Sequence, residues 1–352
     1  MCKSLKGIGA KLIIFMLMVN VILLCRTLPS HAAWTYIGPS KIYISSVAIN
    51  PVDPKTVYGG TWGYGILKST NGGSSGALAN KGLTNLYINC FAINPVNPKI
   101  VYAGTWKGLF KSTNAGASWT TVNKGLTDTD IYSVAINGSN PNIIYAGTWT
   151  GGVFKSTNGG ANWGATSMTI GGVTSLAING KNTKIVYAGN VGGVYRTTDG
   201  GTSWTEINTG LQDTYITSLA INPLNPSIVY AGTFSGGVFE STNAGAKWTA
   251  VNKGLTNKQI DCLALNPLNP KIVYAGTYGG GVFESINAGA SWTAVNKGLK
   301  NTIINCLAVN PKNPKIIYAG TDGGGAFVNT NGGGAAVYGS AVEEIDSQDA
   351  RP

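Results

Sequence analysis

The sequence predicts an all-β fold: a seven-bladed β-propeller of four-stranded antiparallel blades, closed by an N-terminal strand. Three observations predict it. An alanine followed by an apolar residue and Asn returns at Ala48, Ala92, Ala135, Ala177, Ala220, Ala264 and Ala308, in steps of 42 to 44 residues. A period in the low forties made of strand-like segments means one blade per repeat, and seven landmarks mean seven blades. A second motif, Ser241-Thr242-Asn243-Ala244-Gly245 ahead of Trp248 in its clearest form, follows the landmarks and reads as a tight turn between two strands. Composition agrees: 50 of the 352 residues are Gly and only 11% are charged, with Val, Ile, Tyr and Trp filling the β-prone runs.

The chain opens outside this pattern. Lys3, Lys6 and Lys11 precede the apolar stretch Leu12 to Leu24, and Ser30-His31-Ala32 has small residues at the two positions a signal peptidase reads. Residues 1–32 therefore read as a secretory signal peptide, too short in its apolar part to span a bilayer comfortably. A lipoprotein reading through Cys25 is weaker, because bulky Leu24 stands where a small residue is expected. The expected location is secreted or extracytoplasmic. Cleavage would remove His31, the only His, and leave 21 basic residues against 14 acids, a net charge of +7.

Residues 33–339 form the expected propeller. In one repeat, strand A runs Ile216 to Asn222, the prolines of Pro223-Leu224-Asn225-Pro226 exclude a central strand there, and strand B is Ile228 to Ala231. A short link through Thr233 leads to strand C, the Asn243 turn reverses the chain, and Trp248 to Val251 is strand D. The last repeat lacks a Trp-Thr strand, whereas Trp34-Thr35-Tyr36-Ile37-Gly38 at the start matches one. That segment is expected to complete the last blade, with Ala335 to Ser340 as a competitor, and so to pair its open edge. Residues 340–352, acidic and without pattern, read as a disordered tail.

The turn motif recurs at Ser112 to Trp119, Ser156 to Trp163, Thr197 to Trp204 and Ser285 to Trp292. Ser69 to Gly73 is a copy with Gly76 where Trp should stand, and Asn329 to Gly333 is a worn last copy. These resemble the Asp-box, or BNR repeat, although the acid is present only at Asp199 and is Asn in the other copies. The phrase Asn-Pro-x-Asn-Pro-x-x-Val-Tyr-Ala-Gly also resembles sortilin-type and xyloglucanase-type propellers and the photosystem II assembly-factor family. In Asp-box enzymes the working face is the one away from the boxes, so the resemblance points at the B–C links. The residue after each link Thr is Trp62, Trp106, Trp149, Phe234, Tyr278 and Asp322, with Asn190 placed in the fourth blade. Flat aromatic faces suit sugar rings, so Trp62, Trp106, Trp149, Phe234 and Tyr278 are the candidate ligand-binding residues, against the alternative that they wedge between blades.

Absences restrict the chemistry. A chain without His after Ala32 has no Ser-His-Asp triad and no His-ligated zinc. Arg196 and Arg351 cannot make the arginine triad that sialidases need. No phosphate loop, cofactor motif or metal set is present, and nucleic-acid binding would rest on net charge alone. Thr321-Asp322-Gly323-Gly324-Gly325-Ala326-Phe327 resembles a xyloglucanase segment carrying one catalytic carboxylate, which makes Asp322 the candidate catalytic residue. Its second carboxylate would come from Asp128, Asp130 or Asp213 in D–A links. Cys90, Cys262 and Cys306 share one repeat position and read as buried thiols. The function expected is a monomeric, secreted binding or scaffolding module for extracellular polysaccharide or protein, with no membrane contact once the signal is cleaved. The alternatives are a xyloglucanase-like hydrolase and a protein like the photosystem II assembly factors.

Overall fold

The computed structural model describes residues 33–332, so the expected leader and tail lie outside the described residues. Those residues form seven sheets of four antiparallel strands arranged in a ring, with no helix among them. Blade 1 runs Ile44–Ile49, Val57–Thr61, Ile66–Ser69 and Ala77–Leu78 as strands A to D. Blade 5 repeats it as Ile216–Ile221, Val229–Thr233, Val238–Ser241 and Thr249–Ala250. Strand A of each blade packs on strand A of the next, and that of blade 7 (Ile304–Val309) packs on that of blade 1, which closes the ring. Strand D is shorter than the sequence suggests. The Trp that begins it stands just outside the ladder, with its ring turned into the seam between blades.

Blade 7 closes as expected. Thr35–Gly38 pairs antiparallel with Gly325–Asn329. Trp34 is buried, its backbone N–H donates to Lys297 O (2.8 Å) and its indole Nε1 to Val295 O (2.6 Å). The joint is the one used elsewhere. Trp119 donates its backbone N–H to Lys81 O (2.9 Å) and its Nε1 to Ala79 O (2.8 Å). Trp163, Trp248 and Trp292 donate Nε1 to Val122, Ile207 and Val251 in the same way. The Gly after each joint Lys is obligatory. Gly82 has φ +88°, and a Cβ there would lie 2.2 Å from Trp119 O.

The C–D turns lock neighbouring blades as well as their own strands. Within one turn, Asn114 Oδ1 accepts from Ser118 N (2.9 Å) and Ser112 Oγ accepts from Gly116 N (2.8 Å). Asn thus supplies the turn bonds without a charge. Where Asp199 takes the place, hydrogen bonds from Ser203 and Thr197 hold its carboxyl well below the usual range. From the preceding blade, the Tyr102 hydroxyl and the Lys111 ammonium both donate to Gly159 O, at 2.8 Å each. Tyr145 and Lys155 do the same to Gly200. The three repeat cysteines are free, and burial pushes the Cys90 and Cys306 thiols up to about 12. Small size under a close-packed Gly explains them: a Cβ on Gly104 would meet Cys90 Sγ at 2.5 Å.

Candidate binding face

Antiparallel order puts the A–B and C–D turns on one face and the B–C and D–A links on the other. Each B–C link is tied by the last residue of strand B. Thr61, Thr105, Thr148, Thr233, Thr277 and Thr321 are fully buried, and each hydroxyl donates across its link, as Thr105 Oγ1 does to Gly108 O at 2.8 Å. Because strand side chains alternate, burying the Thr turns the next residue outward.

That next residue is exposed. Trp62 is 38% accessible, Trp106 39%, Trp149 42%, Phe234 46% and Tyr278 49%. These rings are partly exposed on the link face, whereas the strand D tryptophans are buried in the seams, so exposure favours the ligand reading over the wedge. Blade 4 corrects the reading of Asn190. Asn190 ends strand B, is fully buried and takes the Thr role, accepting from Gly192 N (2.8 Å) and donating to Gly171 O (3.2 Å). Val191, 46% exposed, holds the outward position in that blade.

The rings rest on a second layer that the sequence reading missed. Tyr43 stacks on Trp62 with centroids 4.1 Å apart, and Tyr87 on Trp106 at 4.5 Å. Tyr132 stacks on Trp149 at 5.0 Å and Tyr215 on Phe234 at 5.1 Å. Backbone bonds set three of these pairs, with Trp62 N donating to Tyr43 O, Trp106 N to Tyr87 O and Phe234 N to Tyr215 O. Trp62 and Trp106 then meet edge to face across the seam at 5.5 Å. Blades 1 and 2 thus share one aromatic surface, extended in blade 1 by exposed Tyr64 and followed in blade 3 by the Tyr132–Trp149 pair. The available signal was the Tyr-Ile pair that opens strand A in blades 1, 2 and 5.

The acids of this face divide into two kinds. Asp213 Oδ2 accepts from Ser235 N (2.6 Å), Ser235 Oγ (2.9 Å) and Gly236 N (2.8 Å). Asp128 makes the equivalent set with Thr150 and Gly151. Burial raises these two carboxyls, but the hydrogen bonds outweigh it and hold both below the usual range. Both carboxylates clamp the B–C links of their own face. Asp130 differs: burial and the Asp128 charge push it up to about 6, and its buried Oδ1 has no partner among the described residues.

Asp322 stands at the outward position of blade 7, its N–H on Ile303 O (3.1 Å) and its carbonyl taking the Asn301 amide. The neighbouring blade carries Asp261, which the sequence reading did not single out. A register shift between Ile260 and Cys262 makes Asp261 the bulged residue of strand A in blade 6, and a bulge re-aims its side chain. At this position Asn89, Thr217 and Asn305 donate to the first strand of the next blade, on Ile131 O, Ile260 O and Ile44 O. An ionised carboxylate has no proton to donate there, and burial pushes Asp261 up to about 7. Tyr43 feels both acids: burial, then the charges of Asp322 and Asp261, hold its phenol above the usual range. Among the described residues no group of three or more His, Cys, Asp or Glu could hold a metal ion.

No family model and no curated protein sequence matches the chain. Solved structures do. A GH74 enzyme from Niastella koreensis superposes with a TM-score of 0.73 at 19% identity, over 86% of this chain and 55% of that one. YCF48 from Cyanidioschyzon merolae gives 0.64 at 16% identity, over 85% of this chain and 98% of its own. The extracellular domain of BT4673 from B. thetaiotaomicron gives 0.68 at 18%, over 85% and 40%. This chain spans about half the length of the GH74 structures it matches. At these identities the likeness establishes the propeller fold. No helix among the described residues is long and apolar enough to cross a membrane.

Proposed function

We infer that the protein is an extracytoplasmic binding module whose link face holds an extended, neutral carbohydrate chain along the aromatic row. One observation carries this reading: Trp62, Trp106 and Trp149 sit at one repeat position in consecutive blades, two-fifths exposed, each backed by a stacked tyrosine. Exposed apolar surface of that extent has a hydration cost, which a folded protein bears where a ligand covers it. The stacked tyrosines fix the ring planes before binding, so little side-chain entropy is lost when sugars arrive. A row that follows the ring of blades suits a chain of sugars better than a compact molecule. The similarity to a GH74 enzyme and to an extracellular domain is in keeping with this reading. Affinity electrophoresis against neutral and anionic polysaccharides tests it. Retardation by a neutral polysaccharide is expected, and migration unchanged in every gel refutes it.

A second reading is favoured by Asp322 and Asp261. Both act electrostatically on Tyr43, and burial pushes the Asp261 carboxyl up to about 7. A carboxylic acid paired with a carboxylate is the equipment of a glycoside hydrolase. Here Asp261 would act as the acid and Asp322 as the base. Reducing-sugar release by the parent, lost in both Asp322→Asn and Asp261→Asn, would support it. A parent that binds polysaccharide without cleaving it sets it aside.

A further inference from the structure

The seam between blades 7 and 1 differs from the other six. Elsewhere the residue that opens strand D is Trp, at positions 34, 119, 163, 204, 248 and 292, and its indole fills the space between two blades. At the seventh seam that residue is Gly76, and a cavity of about 290 Å³ lies there. Its lining matches the neighbours of Trp119 by repeat position. Tyr58, Ile66, Ile88, Val101, Ala103 and Phe110 surround Trp119. Tyr318, Ala326, Ile44, Val57, Gly59 and Leu67 surround the cavity. The cavity is the space of a missing indole.

Three further substitutions widen it. Gly59 stands where the other six blades have Ala, and Leu67 where they have Phe or Tyr. Ala326 stands where they have Ile, Leu or Val. All four reductions border one slot, and its buried cluster, Val57, Tyr318 and Val328, is the smallest of the seven. The Ile37 carbonyl, in the lining, has the repeat position of the carbonyls of Ala79, Val122, Ile207, Val251 and Val295, which accept the sister indole N–H groups. A dry apolar cavity of about 150 Å³ is already enough to bind benzene.

We propose that this slot is a binding site for a free planar aromatic of indole size, which enters edge-on between blades 7 and 1 and donates its N–H to the Ile37 carbonyl. The ligand completes the seam as the tryptophans complete the others, so binding stabilises the propeller. The site is distinct from the aromatic row, since none of Trp62, Trp106, Trp149, Phe234 and Tyr278 lines it.

Indole itself is the probe, with the full chain. Thermal melting with increasing indole is expected to show a saturable rise in Tm of about 2–4 °C. 1-Methylindole, which cannot donate the N–H, is expected to bind at least fivefold more weakly. Gly76→Trp fills the slot covalently and is expected to raise Tm without indole and to abolish the response. Leu67→Phe restores the repeat residue, narrows the slot by less and is expected to weaken binding about tenfold; it serves if Gly76→Trp does not fold. A parent whose Tm does not respond to indole overturns the proposal, and so does an undiminished response in the variant that folds.

Discussion

Replacing Trp248 with Ala tests how the blades are held together, and Trp204→Ala supplies an internal comparison. Trp248 is fully buried, and its Nε1 donates to Ile207 O at 2.7 Å. Truncating a buried Trp costs about 3–5 kcal/mol. Trp204 opens the same strand in the preceding blade, but its buried Nε1 has no partner among the described residues. Blade 3 explains this: the stretch after Trp163 departs from the repeat, with Thr166 where the other blades carry Ala, Val or Ile and no Asn after it. An unmet buried N–H costs about 1–3 kcal/mol. Removing Trp204 relieves that penalty while losing the packing, so its net cost should be about 1–3 kcal/mol. Calorimetry at one scan rate should show Trp248→Ala melting about 6–15 °C below the parent and Trp204→Ala falling by about half as much. Equal losses in the two variants would refute the idea that indole hydrogen bonds across seams carry part of the stability.

Deleting residues 34 to 38 should remove the outer strand of blade 7 and its joint to Lys297, and lower Tm by more than 10 °C; a deletion variant melting with the parent would contradict the closure. Asp128→Ala takes the acceptor from Thr150 and Gly151 and should cost about 1–2 kcal/mol in urea unfolding, with amide exchange of Gly151 accelerated. Asp261 gives a pH dependence. Its folded pKa of about 7 exceeds the unfolded value of about 3.9, so the folded state holds the extra proton and stability falls as pH rises between these values. Asp261→Asn should flatten that fall and be the more stable chain at pH 8. An unchanged pH profile would show that Asp261 titrates normally.

The period, the blade count and the closing strand were legible because each is a local or strictly repeated signal. Trp34-Thr35 could be matched to strand D by its residues alone, and so could the Gly76 gap in the Trp series. The outward row was legible in six blades and misread in the fourth, because the reading was keyed to Thr. Asn190 does the work of that Thr with its amide, which moves the outward position to Val191. The stacked tyrosines lie about 17 to 19 residues before their partners, and only the strand A–strand B register brings them together. Asp261 was invisible for the same reason. In an alternating strand its direction is ambiguous, and the bulge that re-aims it exists only in the paired sheet. Asp128 and Asp213 were legible as link acids, but their role as acceptors for N–H groups 22 and 23 residues away was not.

The central claim is that the exposed aromatic row binds a chain of sugars, and Trp106→Ala tests it most directly when affinity and melting are measured on the same sample. Trp106 is two-fifths exposed, stacked on Tyr87 and edge-on to Trp62. Losing those contacts should cost about 1 kcal/mol of stability, a drop of about 2–4 °C in Tm. A central ring in a binding row is worth about 2 kcal/mol or more, so affinity for the polysaccharide that retards the parent should fall about 30-fold. A large drop in Tm with binding unchanged per folded molecule would contradict the account and return these rings to a packing role.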